Sequence, residues 1–128
     1  MTKIMFVDDE EDQVFGIKTA LEDKYGDEYE VIPARNGAEC LELLKNNELP
    51  DIILLDIMMP EMSGWQVFDT LKENPSWKDI PVVFLTARTD RIAENAGKFL
   101  GEDYIEKPVK TEDLKNRIDK VLEKKNER

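Results

Sequence analysis

The stretch Asp51-Ile52-Ile53-Leu54-Leu55-Asp56 decides the fold of this 128-residue chain. Its four central residues form an unbroken apolar run, without the polar and apolar alternation of a half-exposed strand. Such a run is typical of a strand buried on both faces, as in a parallel sheet covered by helices. The run stops at Asp56, so a carboxylate stands at the carboxyl end of the strand predicted to be most deeply buried.

Four further runs rich in β-branched and aromatic residues predict strands, at residues 4–7, 29–34, 82–85 and 104–105. Apolar residues at helical spacing predict helices between and after them, around residues 14–21, 38–44, 64–71, 90–100 and 114–122. Parallel strands need crossover connections, and right-handed crossovers place helices on both faces of the sheet. The sequence thus predicts an α/β fold with a doubly wound five-stranded parallel sheet. It also predicts a single domain over residues 1–128, with a frayed tail at 124–128.

Composition and charge exclude several classes of protein. Lys and Arg number 18 against 29 Asp and Glu, and this net charge of −11 argues against binding nucleic acid or an anionic membrane. The single Cys40 excludes an intramolecular disulfide and a Cys-rich zinc site. Without histidine, the chain cannot use a His-based triad, a His zinc ligand or a His general base. Any chemistry must use carboxylates, hydroxyls, lysines and a metal or phosphate.

Targeting signals are not apparent in the sequence. Residues 1–7 are too short for a signal peptide, and acidic residues follow them at once. No apolar run approaches the ~18 residues that a membrane helix needs. We therefore expect a soluble protein of the cytoplasm.

Acidic side chains follow two strands that are neighbours in a flavodoxin-like strand order of 2-1-3-4-5. Asp8 and Asp9 follow the first strand, and Asp56 follows the third. Ligands of such sheets bind at the carboxyl ends of the strands, where we expect these three side chains to converge. Converging carboxylates resist joint ionisation unless a cation is present, and Mg²⁺ prefers oxygen ligands. The sequence therefore predicts a Mg²⁺ site beside a carboxylate that can accept a phosphoryl group.

Two more residues at strand ends suit phosphoryl transfer. Thr86 follows the fourth strand with a hydroxyl that can donate to a phosphoryl oxygen, and Lys107 follows the fifth with a cation. Taken alone, the threonine is explained by a capping role and the lysine by solvated surface. Their coincidence with three acids at one edge of the sheet favours a functional site.

Four segments carry a family resemblance, namely Phe6-Val7-Asp8-Asp9-Glu10, Leu54-Leu55-Asp56-Ile57-Met58-Met59-Pro60-Glu61-Met62-Ser63-Gly64, Phe84-Leu85-Thr86-Ala87 and Asp103-Tyr104-Ile105-Glu106-Lys107-Pro108. Their ordered set resembles the receiver domain of two-component response regulators, in particular the chemotaxis-regulator-like receivers. The resemblance covers essentially the whole chain. Each motif is moderately specific, and the ordered set is highly specific.

The resemblance implies a metal and phosphoryl site. Asp56 would be the phosphoacceptor. A Mg²⁺ ion would be bound by Asp56, by Asp9 directly, by Asp8 through water and by the backbone carbonyl of Met58. Lys107 would contact a phosphoryl oxygen and would be joined to the next residue, a proline, by a cis peptide bond.

The resemblance also implies a conformational switch. Thr86 would bind the phosphoryl group and shift on phosphorylation. Tyr104 matches the aromatic position that swings between exposed and buried rotamers, although a half-buried aromatic at a strand end is the ordinary alternative. The surface formed by the predicted fourth helix, the fifth strand and the fifth helix would change with it.

Partners follow from the same resemblance. The phosphoryl donor would be a sensor histidine kinase or a phosphotransfer protein, and the output would be a protein or effector domain that contacts the switching surface. We expect no direct contact with nucleic acid or membrane, and a monomer or a phosphorylation-dependent dimer. The domain would assist its own phosphorylation and dephosphorylation without being an enzyme for a separate substrate.

Three alternatives remain open. An aspartyl phosphatase of the haloacid-dehalogenase type typically has a second Asp two residues after the first, where this chain has Met58. A flavodoxin needs a Ser/Thr/Gly-rich loop after the first strand, where this chain has the acids of residues 8–12. A receiver-like domain that is never phosphorylated would not need the whole set of site residues. The sequence does not decide between a stand-alone regulator and a piece of a longer one.

Overall fold

The computed structural model describes residues 1–86 and 103–126. Its strands are β1 (Thr2–Val7), β2 (Tyr29–Ala34), β3 (Ile52–Leu55), β4 (Val82–Thr86) and β5 (Asp103–Glu106). The described helices are α1 (Glu11–Tyr25), α2 (Gly37–Lys45), α3 (Gly64–Glu73) and α4 (Thr111–Asn126). The strands form one five-stranded parallel sheet in the order β2-β1-β3-β4-β5. The predicted fold class and strand order are therefore confirmed.

The apolar run of β3 is buried on both faces of the sheet. Its four residues all have an exposed fraction of 0%. Ile53 and Leu55 face a core cluster built with α2 and α3, whereas Ile52 and Leu54 face a second cluster built with α1 and α4. Because successive side chains of a strand point to opposite faces, this one run contributes to both cores.

Strands β1 and β3 end side by side. Val7 pairs with Leu55 across the ladder, and the amide of Asp56 donates to the carbonyl of Val7 at 2.9 Å. Leu55 in turn pairs with Phe84 of β4. Since the strands are parallel, the residues that follow them emerge at one edge of the sheet. The chain therefore leaves β1 and β3 at neighbouring points of the carboxyl edge.

Side-chain caps fix where α2 and α3 begin. The Asn36 side chain accepts a hydrogen bond from the amide of Glu39 at 2.8 Å. At α3, the Ser63 hydroxyl accepts from the Gln66 amide at 3.3 Å, and the Gln66 side chain accepts from the Ser63 amide at 2.9 Å. These bonds satisfy amides that a helix start leaves unpaired. The reciprocal pair ties the loop after β3 to the first turn of α3.

Three strands are longer than the sequence predicts, one of them being β4, which ends at Thr86 rather than at residue 85. β1 begins at Thr2 rather than at residue 4, and the Thr2 amide donates to the carbonyl of Glu28 at 2.8 Å. β5 includes Asp103 and Glu106 on either side of the predicted residues 104–105, because both pair with β4. These added residues are polar, so an apolar pattern does not detect them.

The C-terminal tail also differs from its prediction. Residues 124–126 form the end of α4, although the sequence predicts fraying from residue 124. Lys124 and Lys125 lie in the last turn, where positive charge interacts favourably with the helix dipole. The helix predicted over residues 90–100 lies outside the described residues. Within residues 1–86 and 103–126, none of the helices has the length and apolar character needed to cross a membrane.

Candidate functional site

Three carboxylates meet at the carboxyl edge of the sheet. Asp8, Asp9 and Asp56 each place a carboxylate oxygen within 4.8 Å of the other two. Asp8 is fully buried and Asp56 is 4% exposed, whereas Asp9 is exposed. The structure thus brings together the acids that the sequence predicts to converge, with one of them open to solvent.

A buried lysine reaches this cluster from the loop after β5. The Lys107 ammonium lies 2.5 Å from Oδ2 of Asp8 and 3.7 Å from Oδ2 of Asp56, and its side chain is 9% exposed. The Lys107–Pro108 peptide bond is cis, as the family resemblance implies. Lys107 is therefore an internal cation shared by two carboxylates, and the reading of this lysine as solvated surface is wrong.

Backbone amides complete the hydrogen bonding of the two buried acids. Oδ1 of Asp8 accepts from the amide of Glu10 at 2.9 Å. Oδ1 of Asp56 accepts from the amide of Met58 at 3.3 Å. Each buried carboxylate thus uses one oxygen for a backbone amide and turns the other toward Lys107.

The charges of the cluster suit a divalent cation. Three carboxylates face a single ammonium group, so two negative charges remain in a partly buried site. Hard oxygen ligands of this kind are those that Mg²⁺ prefers, and Mg²⁺ keeps several waters and uses few carboxylates. The exposed carboxylate of Asp9 gives the ion access from solvent. The donor set therefore fits Mg²⁺.

Burial raises the pKa of Asp56 to about 6. The positive charge of Lys107 opposes this rise, whereas the neighbouring Asp8 adds to it. A carboxyl in this environment resists ionisation until a cation compensates it. At neutral pH Asp56 is still mostly ionised, so it keeps the charge that a nucleophile or metal ligand needs.

Asp56→Asn is expected to stabilise the metal-free protein at pH 7. Because the folded-state pKa of Asp56 is raised, its contribution to stability is full below pH 4 and is lost as the pH rises through about 6. Asparagine removes that loss and keeps an acceptor for the Met58 amide. We expect the free energy of unfolding of the variant to exceed that of the parent by about 1–2 kcal/mol at pH 7. Solvent at the border of the site screens part of the cost of ionising Asp56, so the gain is less than a two-unit change in pKa would give in a dry site.

Chemical denaturation with chelator at pH 4.5 and pH 7 measures this effect. The difference in unfolding free energy between the variant and the parent should grow with pH, since their other titrating groups are shared. A constant or shrinking difference would contradict the raised pKa of Asp56.

The remaining predicted residues lie near the same edge. Thr86 is the last residue of β4, and its Cα is paired with that of Glu106. Tyr104 in β5 pairs with Phe84 and is partly buried against the cluster that includes Phe84. The side chain of Met58 is 53% exposed. Tyr104 thus lies in the predicted fifth strand, whereas Thr86 ends the fourth strand instead of following it. The structure describes only the backbone of Thr86.

An apolar groove beside Lys107 was not detected from the sequence. Its volume is about 490 Å³, and it runs between α1 and the loop that leads into α4. Gly16, Ile17 and Ala20 line it from α1, and Pro108 and Val109 line it from the loop. The sequence signal nearest to it is Gly16 inside the helical pattern of α1, because a glycine there costs stability and often has a packing or functional reason.

Comparison with known proteins agrees with this geometry. The family described as "Response regulator receiver domain" matches residues 4–119. PilH of Pseudomonas aeruginosa is 34% identical over 123 residues, which are 95% of this chain and 98% of PilH. The response regulator SaeR of Staphylococcus aureus is 37% identical, and a probable cyclic di-GMP phosphodiesterase of Vibrio cholerae is 39% identical. The chain spans 51% and 27% of the lengths of these two relatives.

Solved structures show the same fold. The signal receiver domain of a histidine kinase from Syntrophus aciditrophicus has a TM-score of 0.83 and 31% identity, covering 96% of this chain and 91% of that one. A response regulator receiver domain protein from Clostridium thermocellum has a TM-score of 0.83 and 29% identity, covering 98% of both chains. This chain belongs to the response regulator receiver domains, the phosphoacceptor domains of two-component signalling.

Proposed function

We propose that Asp56 is the residue that accepts the phosphoryl group. The observation that carries this proposal is the position of its carboxylate, which lies at the end of β3, 3.7 Å from the ammonium of Lys107 and within 4.8 Å of carboxylate oxygens of Asp8 and Asp9. In the transfer, an oxygen of Asp56 forms a bond to phosphorus, and the bond between phosphorus and the donor's imidazole nitrogen breaks. The donor would be a phosphohistidine of a sensor kinase or phosphotransfer protein.

The same cluster would hold Mg²⁺ through Asp8, Asp9, Asp56 and the backbone carbonyl of Met58. When bound, the ion would supply positive charge to the phosphoryl oxygens. Lys107 would release part of its contact with Asp8 and pair with a phosphoryl oxygen. Positioning and charge compensation account for most of the catalysis of phosphoryl transfer, so a site of this kind suffices for the domain to assist its own phosphorylation and dephosphorylation.

Phosphorylation would then act on Thr86 and Tyr104, which lie on the neighbouring strands β4 and β5. The new phosphoryl dianion would attract the hydroxyl of Thr86. The threonine would leave space behind it, and this space would favour the buried rotamer of Tyr104. Such a change is a population shift between two states, driven by one added charge. It would alter the surface that an output protein or effector domain contacts, and it would set whether the domain stays monomeric or dimerises. As a partner of a histidine kinase, the domain would work in the cytoplasm.

The groove between α1 and the loop after Lys107 suits the approach of a donor protein. It is apolar, and it opens beside the lysine that contacts the acidic cluster. Gly16→Glu would place a charged side chain there, and nothing lies within 4 Å of the position of its Cβ. We expect phosphotransfer from a donor histidine kinase to fall by about tenfold, while labelling by acetyl phosphate stays unchanged.

Gly16→Ala is the matched control for this experiment. A helical Gly→Ala change in open space stabilises by about 0.5–1 kcal/mol and leaves the groove apolar. Kinase-dependent transfer to this control should match the parent. An equal loss with both phosphoryl donors in Gly16→Glu would instead place the effect at the acceptor site.

Intact mass after incubation with acetyl phosphate tests the proposed function. The parent should gain one phosphoryl group when Mg²⁺ is present and none after chelation. Asp56→Asn should show no gain in either condition, although Asp8 and Asp9 remain. A gain of one phosphoryl group by this variant at the rate and extent of the parent would exclude Asp56 as the acceptor. Turnover of a small phosphomonoester by the parent would favour the phosphatase alternative.

A further inference from the structure

Strand β2 is an outer edge of the sheet, and only every second residue of it turns its backbone N–H and C=O groups away from β1. The amides of Thr2 and Asp8 donate to the carbonyls of Glu28 and Ala34, so the even-numbered residues of β2 turn their backbone groups toward β1. The odd-numbered residues Tyr29, Val31 and Pro33 therefore turn theirs outward. Among the described residues no strand pairs with this side of β2.

Two side chains of α1 bind both backbone groups of Val31. The Lys18 ammonium donates to the Val31 carbonyl at 3.1 Å, and Oε2 of Glu22 accepts from the Val31 amide at 3.3 Å. The same Oε2 accepts from Lys18 at 3.0 Å, one helical turn away. We call Lys18 and Glu22 the edge clasp. It gives this residue of β2 the hydrogen bonds that a neighbouring strand would otherwise give.

The neighbouring position along the edge is protected in another way. Pro33 has no amide hydrogen, so it cannot donate to an added strand. Proline residues and charged side chains on edge strands are recognised means of keeping sheet edges from pairing with other chains. At the opposite edge, Arg117 and Asp103 make a comparable set of contacts with the carbonyl and amide of Tyr104. Occupied backbone groups are thus a feature of both edge strands.

The charge state of the edge clasp fits this role. Burial opposes the ionisation of Glu22, but its bonds to Lys18 and Val31 hold the pKa of this carboxyl below its usual range. The two side chains are 37% and 32% exposed, so water competes with the clasp only in part. Glu22 therefore remains ionised at neutral pH and keeps its bonds to Lys18 and Val31.

We propose that the edge clasp prevents a second copy of this chain from adding its β2 to the β2 edge. Two such edges can pair antiparallel about a two-fold axis through Val31. Val31 then supplies the central pair of backbone hydrogen bonds, and the Tyr29 amide reaches the carbonyl of Pro33 in the other copy. The edge clasp occupies the backbone groups of this central pair, which is the pair that would form two hydrogen bonds, whereas Pro33 limits each flanking pair to one. The role is independent of the phosphorylation site.

The test is the double variant Lys18→Ala/Glu22→Ala, whose alanines keep the helix propensity of α1 high. Sedimentation equilibrium should show its average mass rising toward twice the monomer mass as concentration increases. Hydrogen exchange of the Val31 amide in dilute solution should accelerate by about tenfold. The matched control is Arg35→Ala/Glu39→Ala, which removes an ion pair of the same i, i+4 spacing that makes no hydrogen bond to Val31. The control should behave like the parent in both measurements.

Adding Val31→Pro to the double variant separates edge pairing from association through unfolding. This proline removes the outward amide, so it should return the protein to the monomer mass. It also costs core packing, so association caused by partial unfolding would increase instead. The proposal is overturned if Val31→Pro increases the association, or if the double variant stays as monomeric as the control at all concentrations, whatever the exchange rate of Val31.

Discussion

Lys107→Met is expected to destabilise the metal-free protein by about 3 kcal/mol, because it leaves buried charge without a partner. The ammonium of Lys107 lies against the carboxylate of Asp8, which is fully buried, and near that of Asp56, which is almost fully buried. Methionine keeps most of the side-chain volume, so the loss reports the charge rather than a cavity. Thermal or chemical unfolding with chelator measures it. Added Mg²⁺ should recover part of the loss, since the ion replaces positive charge at the same carboxylates.

The same variant should be phosphorylated about 100-fold more slowly by acetyl phosphate, as expected when one charge that stabilises a transition state is removed. Lys78→Met is the matched control, since it makes the same substitution at an exposed lysine. It should change neither stability nor rate appreciably. Equal unfolding free energies of Lys107→Met and the parent in chelator would show that the ion pair with Asp8 contributes nothing to the fold.

The sequence predicts the position of the site because strand ends are local features. The apolar run of β3 identifies a central strand, and the parallel topology then requires the residues after β1 and β3 to meet. This argument needs no distance between Asp8 and Asp56, and the structure confirms it. The polar ends of β1 and β5 escape the argument because an apolar pattern does not include them.

Contacts between distant residues could not be predicted in this way. The sequence indicates that Lys107 serves a phosphoryl group, but it does not show that the ammonium lies closer to Asp8 than to Asp56. That preference depends on the path of the loop after β5. The edge clasp is also invisible in sequence, because it depends on which residues of β2 turn their backbone outward. Lys18 and Glu22 have the spacing of any helical ion pair.

Gly64→Ala is expected to destabilise the protein by about 3 kcal/mol and to impair phosphorylation, because the added methyl has no room. A Cβ at this position would lie 2.8 Å from the Cα of Ile57 and closer still to the carbonyl oxygen of Asp56. Both contacts are with backbone, so no side-chain rotation relieves them. Either α3 moves away from the sheet or the chain at Asp56 shifts, and a shift of about 1 Å at a reacting group can cost 100-fold in rate.

Gly16→Ala makes the same substitution in open space and serves as the control for Gly64→Ala. It should stabilise the protein by about 0.5–1 kcal/mol, so the two variants are expected to differ in sign as well as in size. Unfolding in denaturant gives the stabilities, and the rate of mass gain with acetyl phosphate and Mg²⁺ gives the effect on the site. A Gly64→Ala protein with the parent's stability and rate would show that α3 yields without disturbing Asp56. The expected result would instead make the close contact of α3 with the end of β3 a requirement for holding the Asp56 carboxylate in place.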